Sequence, residues 1–534
     1  MNSKPWKLSL LAALSVSASA AVAQDVQSAR KAIELEQFGQ ARASLLKQGN
    51  SPEAAYELGR LYQLREMPDS AALYFNRIPL NPKDAFSMVA AGRAALAQGK
   101  TAEAEAQFDN AVKASKSKDP KIFTLIAQAY AESDVKDITK ATSYVDAGQK
   151  ANKGKDEPAL MIARGDIYQK SESGGGEAMN SYERASMADP NNVESYYKKG
   201  ELNFRSRNYN EARTNFEKAI SLDPKYAPAY RDLAEMYYFA NQYQLALDTF
   251  KKYQEIAERS PETDAEYASF LFLTKKYPEA LTEIQKVLQK EPNNIAMNRL
   301  KAYSLYETGQ NDEAMAAMDK YMKMVPADKL IKDDNLYYGK MLSKAGRDDE
   351  ALALLQKAAQ ASPKDADEIQ GALAQTYMQK KDYPNAIKAY KAKMSNGAPL
   401  LTDQVLMATA YSGNKQYQQA DSLFNLVLTA RPTYAPGYQM RASNAYYMDP
   451  DSKEGLARPY WEKYVELAKA DPTKYKDGLT TAYEYLGYYY FQKGEKATAL
   501  PYYQQLLALD PSNARAKAGI ESIQGKKTTT SARK

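Results

Sequence analysis

Apolar and polar positions recur with a helical period along most of this chain. Between Val193 and Tyr226, Tyr196, Gly200 and Phe204 follow at four-residue spacing, one face of a helix. Tyr209-Asn210-Glu211 opens a second helix, on which Ala212, Phe216, Ala219 and Ile220 share a face. Asp223-Pro224 ends it, because proline cannot continue a helix and disfavours the helical conformation before it. The unit then repeats. Ala212, Ala246, Ala280 and Ala314 are 34 residues apart, with Gly200, Ala234, Ala268 and Ala302 twelve residues before them and Phe216, Phe250, Ile284 and Met318 four after. A period of this length marks a repeated helix–turn–helix, and two antiparallel helices of about 12 to 14 residues bury their faces only by stacking on the next pair. The predicted fold is all-α: an α-solenoid superhelix of stacked pairs.

These residues resemble the tetratricopeptide repeat family, whose pattern has Gly, Ala or Ser at its eighth position and Ala at its twentieth. Here the eighth position reads Gly200, Ala234, Ala268, Ala302, Gly339, Ala374, Ala408, Ala442 and Gly487; the twentieth reads Ala212, Ala246, Ala280, Ala314, Ala351, Ala386, Ala420, Ala457 and Ala499. Pro501 departs from the pattern and is expected to strain or shift the start of its helix. The resemblance implies protein–protein interaction along a concave face. That face is lined by positions of the first helices that here include Tyr197, Phe204, Tyr238, Phe239, Phe272, Tyr303, Tyr306, Tyr446, Tyr447, Tyr488 and Phe491. Tyr and Trp give large contact areas at low entropy cost, so this stripe is the candidate partner-binding surface, against ordinary packing between helices. The Lys and Asn of the family's carboxylate clamp are missing at the corresponding positions.

The pattern divides the chain. Residues 1–23 read as a secretory signal peptide: Lys4 and Lys7, an apolar stretch from Leu8 to Ala20, and Ala21-Val22-Ala23 as the cleavage site, with Ala18-Ser19-Ala20 as the alternative. Less regular repeats follow over 24–192, with Gly174-Gly175-Gly176 expected as a flexible insertion. The regular array covers 193–434. Residues 435–512 carry further repeats with an inserted loop, Met448 to Lys453. Residues 513–524 read as a capping helix, with Ala516, Ile520 and Ile523 on one face, and 525–534 as a disordered basic tail. The total is about 13 units.

Composition narrows the chemistry. The 534 residues include no cysteine and no histidine, which removes disulfides, thiolate chemistry, the commonest general base and the commonest transition-metal ligand. No cofactor, metal or catalytic site is expected, and the chain does not read as an enzyme. The net charge of +6 comes entirely from the two ends; residues 24–524 carry zero net charge, so nucleic acid is not an expected partner. No segment of the mature chain is apolar enough to span a membrane. Asp333-Asp334 and Asp348-Asp349-Glu350 read as solvated turn acids. Asp449 and Asp451 have a spacing that could suit calcium but lack the accompanying Gly and bidentate Glu. Tyrosine stands out, with 42 against 13 Phe and 2 Trp.

The expected function is therefore an exported, non-enzymatic scaffold that holds a protein or peptide partner along its concave face, in a bacterial periplasm or outside the cell. A glycan-binding or enzyme-associated envelope module is the alternative, because aromatic rows also stack on sugar rings.

Overall fold

Close approach of two helices is the first requirement of such a repeat, and the computed structural model shows how the sequence meets it. The structure describes residues 24–361, 366–395 and 400–525. The expected signal peptide and, apart from Gly525, the basic tail lie outside the described residues. Among the described residues there are helices and connecting turns and no strand. Where the eighth position is glycine, it lies under a large side chain of the second helix. A Cβ on Gly92 would stand 2.3 Å from the Phe108 ring, and one on Gly200 2.6 Å from Phe216. The twentieth-position alanines Ala212, Ala246, Ala280 and Ala314 are all fully buried, as are Phe216, Phe250, Ile284 and Met318.

Helix starts follow two rules. First helices are often capped by a side chain: Asp84 accepts from Phe86 N and Ser87 N, Asn192 from Ser195 N, and Ser260 and Thr263 form a capping box. Several second helices instead follow a residue in the left-handed region. Arg207, Asn241, Lys275 and Gly309 have φ of 60°, 57°, 60° and 80°, again at the repeat interval. Helix Tyr209–Leu222 ends at Asp223, as Asp223-Pro224 requires. Two expectations need correction. Gly174-Gly175-Gly176 is not a free insertion: Gly174 is the N-cap of helix Gly175–Ala188 and packs on the Tyr168 carbonyl, where a Cβ would lie 1.9 Å from the oxygen. Pro501 does not move its helix start either. Helix Lys496–Leu509 carries it in the interior, leaving the carbonyl four residues earlier, at exposed Ala497, without that N–H.

The chain forms two compact units, Met1–Leu300 and Lys301–Lys534. In the first, buried apolar residues form one cluster from Val26 to Ala185 and another from Tyr197 to Met297, parting where the repeat pattern becomes regular. Its first helices are joined by buried ion pairs. Arg60 reaches Glu57 at 3.2 Å and Glu132 at 2.8 Å; fully buried Arg93 binds Glu132 at 2.5 Å and lies 5.2 Å from the Tyr56 ring centroid. Seven helix pairs lead from residue 24 to Ile256, and the first meets the sixth and the seventh: Lys31 pairs with Asp223, which caps the end of helix Tyr209–Leu222, at 2.6 Å, and Gln37 Nε2 donates to the Ile256 carbonyl at 2.8 Å. In the second unit, apolar clusters run from Leu336 to Phe424 and from Ala435 to Ala516. Helix Ala514–Gln524, capped by Asn513, closes the last with Ala516, Ile520 and Ile523.

Two outcomes test this packing. Gly92→Ala is expected to lower stability by roughly 1–3 kcal/mol, and with Phe108→Leu added the pair should lose clearly less than the sum of the single changes. Additive melting shifts would contradict the contact. Burial alone would raise the Glu132 carboxyl, but Arg60 and Arg93 outweigh it and hold it at about 2, below its ordinary 4.5. A carboxyl depressed on folding stabilises fully above about pH 4.5 and loses that contribution as pH falls toward 2. Glu132→Gln should therefore cost roughly 3–5 kcal/mol at neutral pH and flatten the acid limb of stability. Denaturant titrations from pH 7 to 2 check this, and parallel curves for both proteins would refute it.

Candidate partner-binding site

The aromatic stripe proposed from sequence separates into three groups. Phe204, Tyr238 and Phe272 each lean on the tyrosine five residues later that opens the second helix. Their rings lie 6.2, 5.9 and 5.5 Å from Tyr209, Tyr243 and Tyr277. Here the aromatic pair staples the inter-helix turn, and the geometry is that of packing within a repeat. Phe239, 54% exposed, packs beside Phe204 and Tyr238.

Tyr197 and Tyr303 do not form part of an open surface, which corrects the sequence reading. Tyr197 is buried and donates to Asp232 at 2.8 Å. Tyr303 is buried, stacks on Tyr337 at 3.9 Å and donates to Asp334 at 2.6 Å. Asp334 is itself no solvated turn acid. It is fully buried and also accepts from Tyr321 Oη and Ile331 N, so it ties three segments together. A buried tyrosine keeps its hydroxyl satisfied in this way, and burial plus the adjoining carboxylate fixes its orientation. Tyr306 is half-buried, edge-on to Tyr337 with the Lys344 ammonium over its ring.

The remaining four, Tyr446, Tyr447, Tyr488 and Phe491, are brought together. They line a cavity of about 1180 Å3 in the second unit. Its walls come from helix Ala435–Met448, the inserted loop, helix Lys476–Gln492 and the final helix Ala514–Gln524. The turn staple is missing here. Five residues after Phe491 stands Lys496, and five after Tyr446 stands Asp451 of the insertion. Tyr446, Tyr447 and Tyr488 are 42, 57 and 50% exposed. Tyr447 stacks back on Tyr417 at 5.7 Å, and Tyr446 meets Tyr485 edge-on at 6.2 Å. Trp461 and Tyr503, both buried, complete the wall, and the Arg515–Glu484 ion pair stands at the rim. Large apolar faces beside hydroxyls and one ion pair suit a peptide's side chains together with its backbone.

The insertion is folded by Asp449. Its carboxylate accepts from Gly455 N at 2.7 Å, Lys453 N at 2.9 Å and Leu456 N at 3.3 Å. Burial would raise this carboxyl, and the backbone donors outweigh it and lower it. The aspartate spacing that suggested a cation thus serves the loop itself, and Lys493 Nζ holds the loop through the Lys453 carbonyl at 2.8 Å. Sequence reasoning missed Ser443, Thr481, Tyr485 and Arg515 as lining residues.

Models of known families match along the chain. One described as "Psidin, N-terminal TPR repeats region" matches residues 272–429, and tetratricopeptide repeat models match 89–154, 192–259 and 480–513. The C-terminal part of a TPR repeat-containing protein from Cytophaga hutchinsonii is 34% identical over 48% of this chain and 99% of its own, with a TM-score of 0.42. The chain belongs to the tetratricopeptide repeat family. Other solved structures similar to this tetratricopeptide array include the Cut9–Hcn1 hetero-tetramer of APC/C, at 14% identity, TM-score 0.37, over 85% of this chain and 95% of that one. YrrB, described as a TPR protein with an unusual peptide-binding site, is 19% identical over 35% of this chain and 94% of its own, with a TM-score of 0.30. Comparison with curated proteins gives no match. Tetratricopeptide repeats generally serve as scaffolds for protein–protein interaction, and among the described residues no helix is long and apolar enough to cross a membrane.

Asp449→Ala should open the loop at a cost of roughly 1–3 kcal/mol, since three backbone donors, that of Gly455 buried, lose their acceptor. Hydrogen exchange at residues 453–456 should speed up by at least tenfold, with helix Lys476–Gln492 unchanged; unaltered exchange would refute the capping role.

Proposed function

We propose that this tetratricopeptide protein is an exported, non-catalytic scaffold that grips a peptide segment of a protein partner in its C-terminal cavity. One observation carries the reading: Tyr446, Tyr447 and Tyr488 present exposed ring faces to a single cavity at the point where the repeat's own aromatic staple is absent. Aromatic anchors around a recess are the usual centres of binding energy, because each buries much area for two rotatable bonds. The charges named at the cavity are balanced, Arg515 against Glu484 and Lys453 against Asp451, which favours a partner segment of low net charge. Export rests on the N-terminal sequence pattern, and a periplasmic or extracellular setting follows from it.

A photo-crosslinking residue placed at Tyr447 of the full chain, in the parent organism's envelope fraction, tests this. The same residue at exposed Leu426 on a second helix is the control. A protein adduct is expected at Tyr447 only, and it should fall at least tenfold when Tyr446→Ala and Tyr488→Ala are added. Identical adducts at both positions would overturn the site. An adduct that survives protease and yields to glycosidase would replace the peptide by a glycan.

A further inference from the structure

The junction between the first and seventh helix pairs of the N-terminal unit is made by polar groups. The turn that joins helix 24–34 to helix Phe38–Leu46 inserts against helices Ala227–Phe239 and Tyr243–Ile256. Glu36, in the left-handed region at φ 56°, is the key residue. Its carboxylate bonds Arg231 and accepts from Tyr253 Oη at 2.7 Å, and its carbonyl accepts from Glu258 N at 3.3 Å. Gln37 reaches the Ile256 carbonyl, and Gly39 N donates to the Glu258 carboxylate. Gly39 lets the Glu258 carboxylate approach closely: a Cβ there would stand 2.4 Å from Glu258 Oε1, and that side chain would have to shift.

The receiving side is organised before the turn arrives. Arg231 is oriented by Asp232 at 2.8 Å, and Asp232 by the Tyr197 hydroxyl. Both the guanidinium and the Tyr253 hydroxyl therefore point at one acceptor, with the free end of helix Tyr243–Ile256 beside them. Asp232, and Glu235 and Glu266 beside it, make this an acidic neighbourhood, in which Arg231 selects where one further carboxylate can sit. The apolar side of the hairpin faces elsewhere. Val26, Ala29, Ile33, Ala41 and Leu45 belong to the cluster that runs to Ala185, whereas Tyr253 and Phe250 belong to the other. The contact thus joins the two clusters through polar groups and the Tyr253 hydroxyl.

We infer that the Glu36–Gly39 turn is an internal ligand, and that the surface it covers, Arg231, Tyr253 and the segment Ile256–Glu258, is a second docking site that takes an acidic turn of a partner once the hairpin swings away. This is independent of the C-terminal cavity. Ion pairs and hydrogen bonds in reach of solvent weaken with salt, whereas apolar stacking does not, so the junction is the salt-sensitive part of the unit.

The chain has no cysteine, so Lys47→Cys and Lys251→Cys, both exposed, accept spin labels selectively. The full chain should show one short distance. Glu36→Gln with Gln37→Ala should broaden it to longer values while the helical circular dichroism stays unchanged. A fluorescent peptide of residues 28–46 is the probe. It should bind the opened variant at least tenfold tighter than the parent chain, lose that binding when its own Glu36 is Gln, and lose it when Arg231→Ala is added to the protein. Should single variants misfold, Glu36→Arg with Arg231→Glu must restore the short distance. An unchanged distance in the opened variant, failure of that charge swap, or opening without peptide binding would each overturn the inference.

Discussion

Everything in this molecule depends on two helices of a pair approaching closely enough for a large side chain of one to lie on the backbone of the other. Gly92 under Phe108 and Gly200 under Phe216 are the plainest cases. The approach fixes the position of the second helix, the second helix fixes where its neighbour stacks, and that neighbour repeats the arrangement. Because each pair buries its apolar face only against the next, stability is spread along the array instead of gathered in one core. This is why the same alanine positions are fully buried repeat after repeat.

The regularity has a functional consequence, since interruptions become visible as chemistry. Where tyrosine follows an aromatic by five residues, as Tyr243 follows Tyr238, the two rings close the turn on themselves. Where an insertion or Lys496 stands instead, the aromatic faces are left over, and the Asp449-ordered loop arranges them around a cavity. The ion pairs of the N-terminal unit behave in the opposite way. Arg60 and Arg93 both pair with Glu132, within the unit itself.

Polar and aromatic contacts therefore have different roles in the two units. In the first, charged side chains join distant repeats, and the Glu36 turn is held by groups about 200 residues away in sequence, an order of separation at which loop-closure entropy works against contact. In both, tyrosine hydroxyls are drawn inward by buried acids, Asp232 in the first and Asp334 in the second, and in the second the rings near the C-terminal end are left exposed.

The sequence by itself determined the all-α repeat, its 34-residue register, the buried small residues, the helix stop at Asp223-Pro224 and the closing helix from Ala514. All of these rest on local spacing and on nearest-neighbour stacking, which a single chain displays directly. Tertiary structure alone decided which aromatics are used for packing. Tyr197 and Tyr303 stand at the fifth and ninth positions of their repeats, two of the eleven expected on one face, yet both are buried because Asp232 and Asp334 of the following repeats take their hydroxyls. It also decided that Gly174 caps a helix, that Pro501 is tolerated on a face where the orphaned carbonyl meets water, and that the first pair meets the seventh. Each depends on what another part of the chain places beside the residue, and spacing along one strand of sequence carries no record of that.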